Sequence, residues 1–375
     1  MQIQQGTWTI AAGWDKPLVC EWGDGVQLVL VFGSPSVLQE SAWRSDLRQQ
    51  YPNARLLGCS TAGEIAGTRV HDESLVATAI RFEQSQVKAS GITLSPGENS
   101  FTAGDRLGQL LEKENLTHVF VLSDGLQVNG SDLVRGLSQY LPQGVSLTGG
   151  LSGDGDRFQQ TYVLLDDEVQ SNQIAALGIY GDRLRVGYGS LGGWLPFGTE
   201  RRITKSEGNI LYELDGQPAL ALYKTYLADH ATGLPATGLL FPLRLKEQGL
   251  VRTILAVDEA AQSLTFAGDV PEGSIAQLMH ANFDRLIDGA IEAAETSHAA
   301  LQGGSAELAI LISCVGRKLV LKQRTEEEIE GVQEVLGEQA VLTGFYSYGE
   351  ISPFAPGVPT QLHNQTMTIT TFSEC

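Results

Sequence analysis

The chain has 375 residues, 42% of them hydrophobic, enough for two domains that each bury a core. Its 25 basic and 44 acidic residues give a net charge of −19. A surface that negative repels phosphate backbones and anionic lipid, so neither nucleic acid nor a membrane is an expected partner.

Taken in chain order, strand-sized apolar runs recur in three copies of one unit. The first opens with QLVLVFGS at 27–34 and continues through a helix expected to be capped by Ser36 with Gln39 three residues on. It closes with ARLLGCSTAGEI at 54–65. The second runs from HVFVLSDG at 118–125, through a helix carrying Leu133 and Leu137, to VSLTGGLSGDG at 145–155. The third runs from LAILISCVG at 308–316, through a helix with a Thr325/Glu328 capping box, to AVLTGFYSYGEI at 340–351. Each copy reads strand, amphipathic helix, strand, glycine-rich turn, a βαβ pattern with parallel strands. Further strand-like runs follow each copy, LVATAIRF at 75–82 and TMTITTF at 366–372 among them, so the sheets are expected to be mixed.

Turn residues and the basic cluster Arg201, Arg202 and Lys205 mark the half-way region at 192–218, which divides the chain into halves at 1–216 and 217–375. Two more helices are expected beyond it. One covers about 218–229. The other starts at a Ser274/Gln277 capping box and carries Ile275, Leu278, Phe283, Leu286, Ile287, Ala290 and Ile291 on one face. The fold class is therefore α/β: two halves with mixed β-sheets built from repeated βαβ units.

These residues resemble the FIST family of signal-transduction proteins. LLGCSTAGEI is similar to the signature of its N-terminal half, and GFYSYGEISPF followed by LHNQTMTITTF to the end of its C-terminal half. The stretches LYKTYLADHATGLPATGLLFPL and VRTILAVDEAAQSLTFAGDVPEGSIAQLM look like the beginning of that half. The resemblance implies a sensory module for a small ligand, with amino acids often proposed. Some stand-alone members are described as haem proteins that sense nitric oxide and regulate a separate histidine kinase or cyclic-nucleotide enzyme. No stretch of this chain is left for a kinase, cyclase or DNA-binding domain, so a signal is expected to pass to a partner, a histidine kinase or cyclic-di-nucleotide enzyme in trans. A homo-oligomer is left open.

Ligands of open α/β sheets bind beyond the carboxyl ends of parallel strands. The first and third closing turns sit at such ends and share G-x4-G-E-I. The candidate ligand-binding residues are Gly58, Cys59, Ser60, Thr61, Gly63 and Glu64 in the first turn. In the third they are Tyr346, Tyr348, Gly349 and Glu350. Glycines let the backbone approach a ligand, and the glutamates suit an ammonium or hydroxyl. On the structural alternative the glycines only make tight turns and the glutamates bond nearby backbone. The second unit has Asp154 and Asp156 near where the others have Glu.

Four cysteines, Cys20, Cys59, Cys314 and Cys375, are too scattered for a disulfide framework, and MQIQQGTWTIAAGW does not read as a signal peptide, so a reducing cytoplasm is expected. No apolar run approaches the roughly 18 residues of a spanning helix. Cys59 has no His or Cys partner in sequence, and a small buried hydrophobe is favoured over a nucleophile there. No His/Cys cluster of zinc spacing occurs. A haem needs only one axial ligand in an apolar pocket. His230 is the candidate, sharing a helical face with Ala219, Tyr223 and Tyr226; the alternative is a cap of the helix C-terminus. His363 is the second candidate, with a backbone hydrogen bond at a strand start as its alternative, and His280 falls on the polar side of its expected helix. Walker A, G-x-S-x-G and Rossmann patterns are absent, so no enzyme is expected; a hydrolase built on Cys59 or Ser60 is the second alternative to a sensor.

Overall fold

A computed structural model describes residues 1–18, 22–95, 97–354 and 357–374; Cys20 and Cys375 lie outside the described residues. The three repeated units are present, and each contains the expected parallel pair. Leu28–Gly33 pairs with Arg55–Ser60, Leu116–Ser123 with Ser146–Leu151, and Leu308–Cys314 with Val341–Ser347. These runs are apolar almost throughout because both faces of each sheet are covered. In every unit a later strand adds antiparallel to the first: Leu75–Arg81, Gln173–Tyr180 and Met367–Glu374. A further antiparallel strand lies beyond it, Gln2–Thr9, Gln86–Thr93 and Leu184–Leu191 respectively.

Gly58, Gly149 and Gly344 are equivalent. Each lies in the second parallel strand, opposite Val31, Val121 and Leu311. A Cβ at any of the three would come within 1.8 Å of that neighbour's carbonyl oxygen, so only glycine allows the strands to meet there.

The strand after each glycine turn does not rejoin its own sheet. Glu64–Ala66, from the first unit, pairs with Val341–Ser347 of the third. Gly349–Ser352, from the third, pairs with Ser146–Leu151 of the second. Val163–Leu165, from the second, pairs with Arg55–Ser60 of the first. The three sheets are thus laced in a cycle, each closed by a hairpin from another unit. Their inner faces meet in one apolar core that includes Leu30, Phe32, Phe120, Leu177, Ile310 and Phe345. Residues of all three sheets leave a void of about 10 Å3 at its middle, no more than one water would need.

Helices cover the outer faces. Ala42–Gln50 packs Trp43 and Leu47 on the first sheet. Ser100–Leu110 with Gly130–Ser138, and Phe283–Ala299 with Thr325–Leu336, bury their apolar stripes on the outer layer of the other two. Between Leu184–Leu191 and Phe283–Ala299 the chain builds a smaller β-rich lobe. It has one α-helix, Ala219–Leu227, and its own core of Ile203, Leu211, Tyr223, Leu264 and Phe266.

Several local expectations change. Ile275–His280 is a strand, paired with Leu243–Leu245 and Arg201–Glu207. Burial of Ala276 and Leu278 follows period two there, and the helix begins only at Phe283, where Asn282 accepts the Arg285 N–H at 3.1 Å. His280 is therefore on a strand, its ring 5.9 Å from that of Phe197. The helix expected over 218–229 stops at Leu227, because Ala228 takes φ +49° and a 3-10 turn, Ala228–Gly233, follows. With Ser274/Gln277 in a strand context, the other two capping boxes, Ser36/Gln39 and Thr325/Glu328, do not form either. Gln39 bonds the carbonyl of Pro35, and Thr325 bonds that of Lys322, while Glu328 turns inward.

Candidate ligand cavity

The three glycine-rich turns come together at one end of the three-sheet core. The carbonyls of Ser60, Leu151 and Tyr346, one from each unit, accept the N–H groups of Gly153 at 2.9 Å, Tyr348 at 3.3 Å and Ala62 at 2.8 Å. This ring of hydrogen bonds ties each turn to the next. Thr61, Ser152 and Ser347 are buried within it. Gly63, at φ +139°, returns its carbonyl to Tyr346, and a Cβ there would lie 2.4 Å from the Lys318 ammonium. Lys318 instead bonds the Ala62 carbonyl at 2.9 Å and pairs with Asp72.

Glu64 and Glu350 lie inside this assembly with no exposed surface. Glu64 accepts the hydroxyls of Thr61 and, at 2.7 Å, Ser74. Glu350 accepts those of Ser347 at 2.6 Å and Thr366 at 3.0 Å. Burial pushes the two carboxyls up, to about 7 and about 8. Register assigns their counterpart in the second unit to Val163, which faces Cys59. Asp154 instead anchors an inserted loop, accepting N–H groups from Phe158, Gln159 and Gln160 at 2.8–2.9 Å and the Tyr348 hydroxyl. Tyr346 donates to Glu328 at 2.7 Å, and Glu328 pairs with Arg317 at 2.6 Å, all three fully buried. Ser60 accepts the Tyr162 N–H at 2.9 Å. Cys59 is fully buried, and burial, then Glu64, holds its thiol well above the usual range; Cys314 is buried likewise. The turn residues are thus brought together, with their polar groups bonded to one another.

Open space lies next to the third turn. A cavity of about 280 Å3 sits between the small lobe and the three-sheet body. Gly192, Gly193 and Trp194 line it from the connecting segment, Arg244 and Val251 from an edge hairpin of the lobe, and Arg285 and Glu292 from helix Phe283–Ala299. His363 and Thr366 close it. His363 is 1% exposed. Its Nε2 lies 2.8 Å from the Ser352 carbonyl, which can only accept, so Nε2 carries the proton and Nδ1 a lone pair. Nδ1 has no partner among the described residues. Burial lowers this imidazole to about 4, so it is neutral. Asn364 Oδ1 and Gln365 Oε1, beside it in sequence, are also buried without partners. Native interiors rarely leave so many adjacent acceptors unmet.

Thr366 both lines the cavity and donates to Glu350, and Arg317 donates to the carbonyl of Gly192 in the cavity wall. The third turn and the buried Arg317–Glu328 pair therefore stand directly behind it. Glu64 does not reach it. Neither does His230, which is exposed on the 3-10 turn with Phe241 5.5 Å away. Its expected helical face with Tyr223 and Tyr226 is lost at Ala228. Arg244, Arg285, Glu292 and Trp194 went unnoticed in the sequence. The one local signal was Arg244 between two leucines, the alternation of a strand with one polar face.

No helix among the described residues is long and apolar enough to cross a membrane. A FIST N domain model matches residues 27–217 and a FIST C domain model residues 219–353. The chain is 24% identical over 312 residues to the uncharacterized protein MJ1623 of Methanocaldococcus jannaschii, covering 76% of this chain and 59% of that protein. A crystal structure of cyanuric acid hydrolase from A. caulinodans is similar over 93% of this chain and 90% of its own, at 7% identity and a TM-score of 0.36, a likeness too loose to carry an argument. Two family models that together span most of the sequence are decisive: the chain belongs to the FIST family, whose domains are sensor domains of signal transduction.

Proposed function

We propose that this protein is a non-catalytic sensor that binds a small zwitterionic ligand, an amino acid, in the cavity between the small lobe and the three-sheet body, and regulates a separate output protein, a histidine kinase or cyclic-di-nucleotide enzyme. The observation that carries this reading is the unpartnered Nδ1 of His363, 1% exposed, in a cavity that also holds Arg244 and Glu292. The Arg244 guanidinium suits a carboxylate, and the lone pair and Glu292 suit an ammonium. Because lobe and body both line the cavity, an occupant that contacts both biases their relation, which a partner can read.

The experiment is a thermal-shift screen of the twenty amino acids on wild type and Arg244→Ala, followed by calorimetry. An amino acid at a hundred times its dissociation constant stabilises by about 2.7 kcal/mol, and the Arg244→Ala protein should lose this shift while melting as wild type does without ligand. No shift with any amino acid, or equal affinity in the variant, overturns the reading.

A haem-bound, nitric-oxide-sensing form draws less support. His230 is exposed, and His363 faces a cavity at the lower bound of the about 300–1,000 Å3 usual for drug-sized ligands, with two arginines in its wall. Neither offers a wide apolar slot for a macrocycle. A Soret band in the purified protein that shifts in His230→Ala or His363→Ala would reverse this ranking.

A further inference from the structure

The edge hairpin of the small lobe, strands Leu243–Leu245 and Leu250–Arg252, separates two cavities. Cross-strand pairs alternate sides along it. Arg244 and Val251 face the cavity just described, while Leu245, Leu250 and Arg252 line a second one of about 310 Å3. Its far wall is helix Gly130–Ser138, through Val134 and Arg135, with Leu362 alongside.

Most of this lining is apolar, yet Arg252 lies in its wall, 3% exposed. The guanidinium bonds only carbonyls: Nε that of Asp269 at 2.9 Å, Nη1 those of Leu362 at 3.0 Å and Val251 at 3.4 Å. Among the described residues no carboxylate comes within 4 Å of it, and Nη2 makes no hydrogen bond. Burial draws its pKa down to about 10, and nearby Asp269 offsets only part of that fall. Two other charges line the cavity. Asp269 accepts from Asn129 at 2.8 Å and lies 3.5 Å from Arg135, which also pairs with Asp132. Asp269 thus spends its hydrogen bond on Asn129 and its closer ion contact on Arg135, and it acts on Arg252 only at longer range. A buried cation lacking an anion is costly, and a bound anion would offset that cost.

We propose that this second cavity binds a small organic monoanion with an apolar body, its carboxylate on Arg252 and its hydrocarbon part against Val134, Leu245, Leu250 and Leu362. The volume fits a medium-chain carboxylate. This goes beyond the sensory reading and does not depend on the first cavity being filled. The shared hairpin means that an occupant of either cavity bears on the wall of the other.

The probe is octanoate, compared by calorimetry with octanamide, which has the same tail and no charge. Wild type should bind octanoate at least about tenfold more tightly, the usual weight of one charge-assisted contact. Arg252→Met should remove the preference and Arg252→Lys keep it. Should the methionine variant fail to fold, Gln248→Trp, at the exposed hairpin turn lining the cavity, should weaken octanoate binding instead. Arg244→Ala should leave octanoate binding unchanged, which separates this site from the amino-acid site. Absence of octanoate binding at millimolar concentration, equal affinity for the amide, or unaltered octanoate binding in Arg252→Met or Gln248→Trp overturns the proposal.

Discussion

Glu64 and Glu350 hold the same position in two different sheets. Glu64 stands opposite Phe345 and Glu350 opposite Gly150. Each carboxylate takes one hydroxyl from the residue three places before it and another from the residue entering, or just ahead of, its unit's last strand. Two copies of one unit have kept one device, a buried carboxyl that fastens the exchanged hairpin to the strand that follows it.

That device makes stability depend on pH. Both folded values, about 7 and about 8, lie above the ordinary glutamate value of 4.5. The stabilising effect is therefore complete below about 4.5 and is lost as pH rises through 7 and 8. His118 and His363, lowered to about 3 and about 4 by burial, act with the opposite sign, but only up to the ordinary histidine value of 6.5. Between pH 7 and 8.5 the glutamates dominate this group. Denaturant midpoints should fall over that window by an amount equivalent to about 1–2 kcal/mol, and Glu350→Gln should flatten the fall. A midpoint that rises, or a variant with the wild-type slope, would show that the carboxyls are ionised throughout.

Arg317→Met removes one partner of a fully buried pair and leaves Glu328 with only the hydroxyls of Ser313 and Tyr346. The expected cost is about 3–5 kcal/mol. The double variant Arg317→Met/Glu328→Gln should recover part of it, as urea midpoints at constant slope would show.

Gly58→Ala, Gly149→Ala and Gly344→Ala should each cost more than about 4 kcal/mol or prevent soluble expression, since the added methyl meets a carbonyl oxygen at 1.8 Å. Gly67→Ala is the control. Its Cβ meets nothing within 4 Å, and only its φ of +55° opposes the change, for about 1 kcal/mol. Comparable melting points for Gly67→Ala and Gly344→Ala would refute the close approach.

Asp154 holds three consecutive N–H groups of the inserted loop, and exposed Arg157 lies between them and the turn. Asp154→Ala should free this loop and speed tryptic cleavage after Arg157 by about tenfold or more, given about 1–3 kcal/mol for the lost charged hydrogen bonds. Tyr348→Phe should act in the same direction more weakly. Cleavage at the wild-type rate would show that the loop is held elsewhere.

Much of this molecule was legible in its residues. The apolar runs of the three units became parallel strand pairs because each was continuous, short and bounded by turn residues, and the glycines at 58, 149 and 344 recur because a backbone contact recurs. What the residues could not convey was which strand lies beside which. Nothing local marks Glu64–Ala66 as a partner of the third unit rather than the first, since strand pairing is a contact between segments far apart in sequence. Ile275–His280 was misread because six residues hold both a helical and a strand period, and pairing on both edges decided between them. Glu328 suited a capping box until Arg317 claimed it. The cavity around His363 is the extreme case. Its walls come from segments scattered over 191–366, each unremarkable alone, and only tertiary packing put two arginines, a glutamate and an imidazole with an unpartnered Nδ1 around one space.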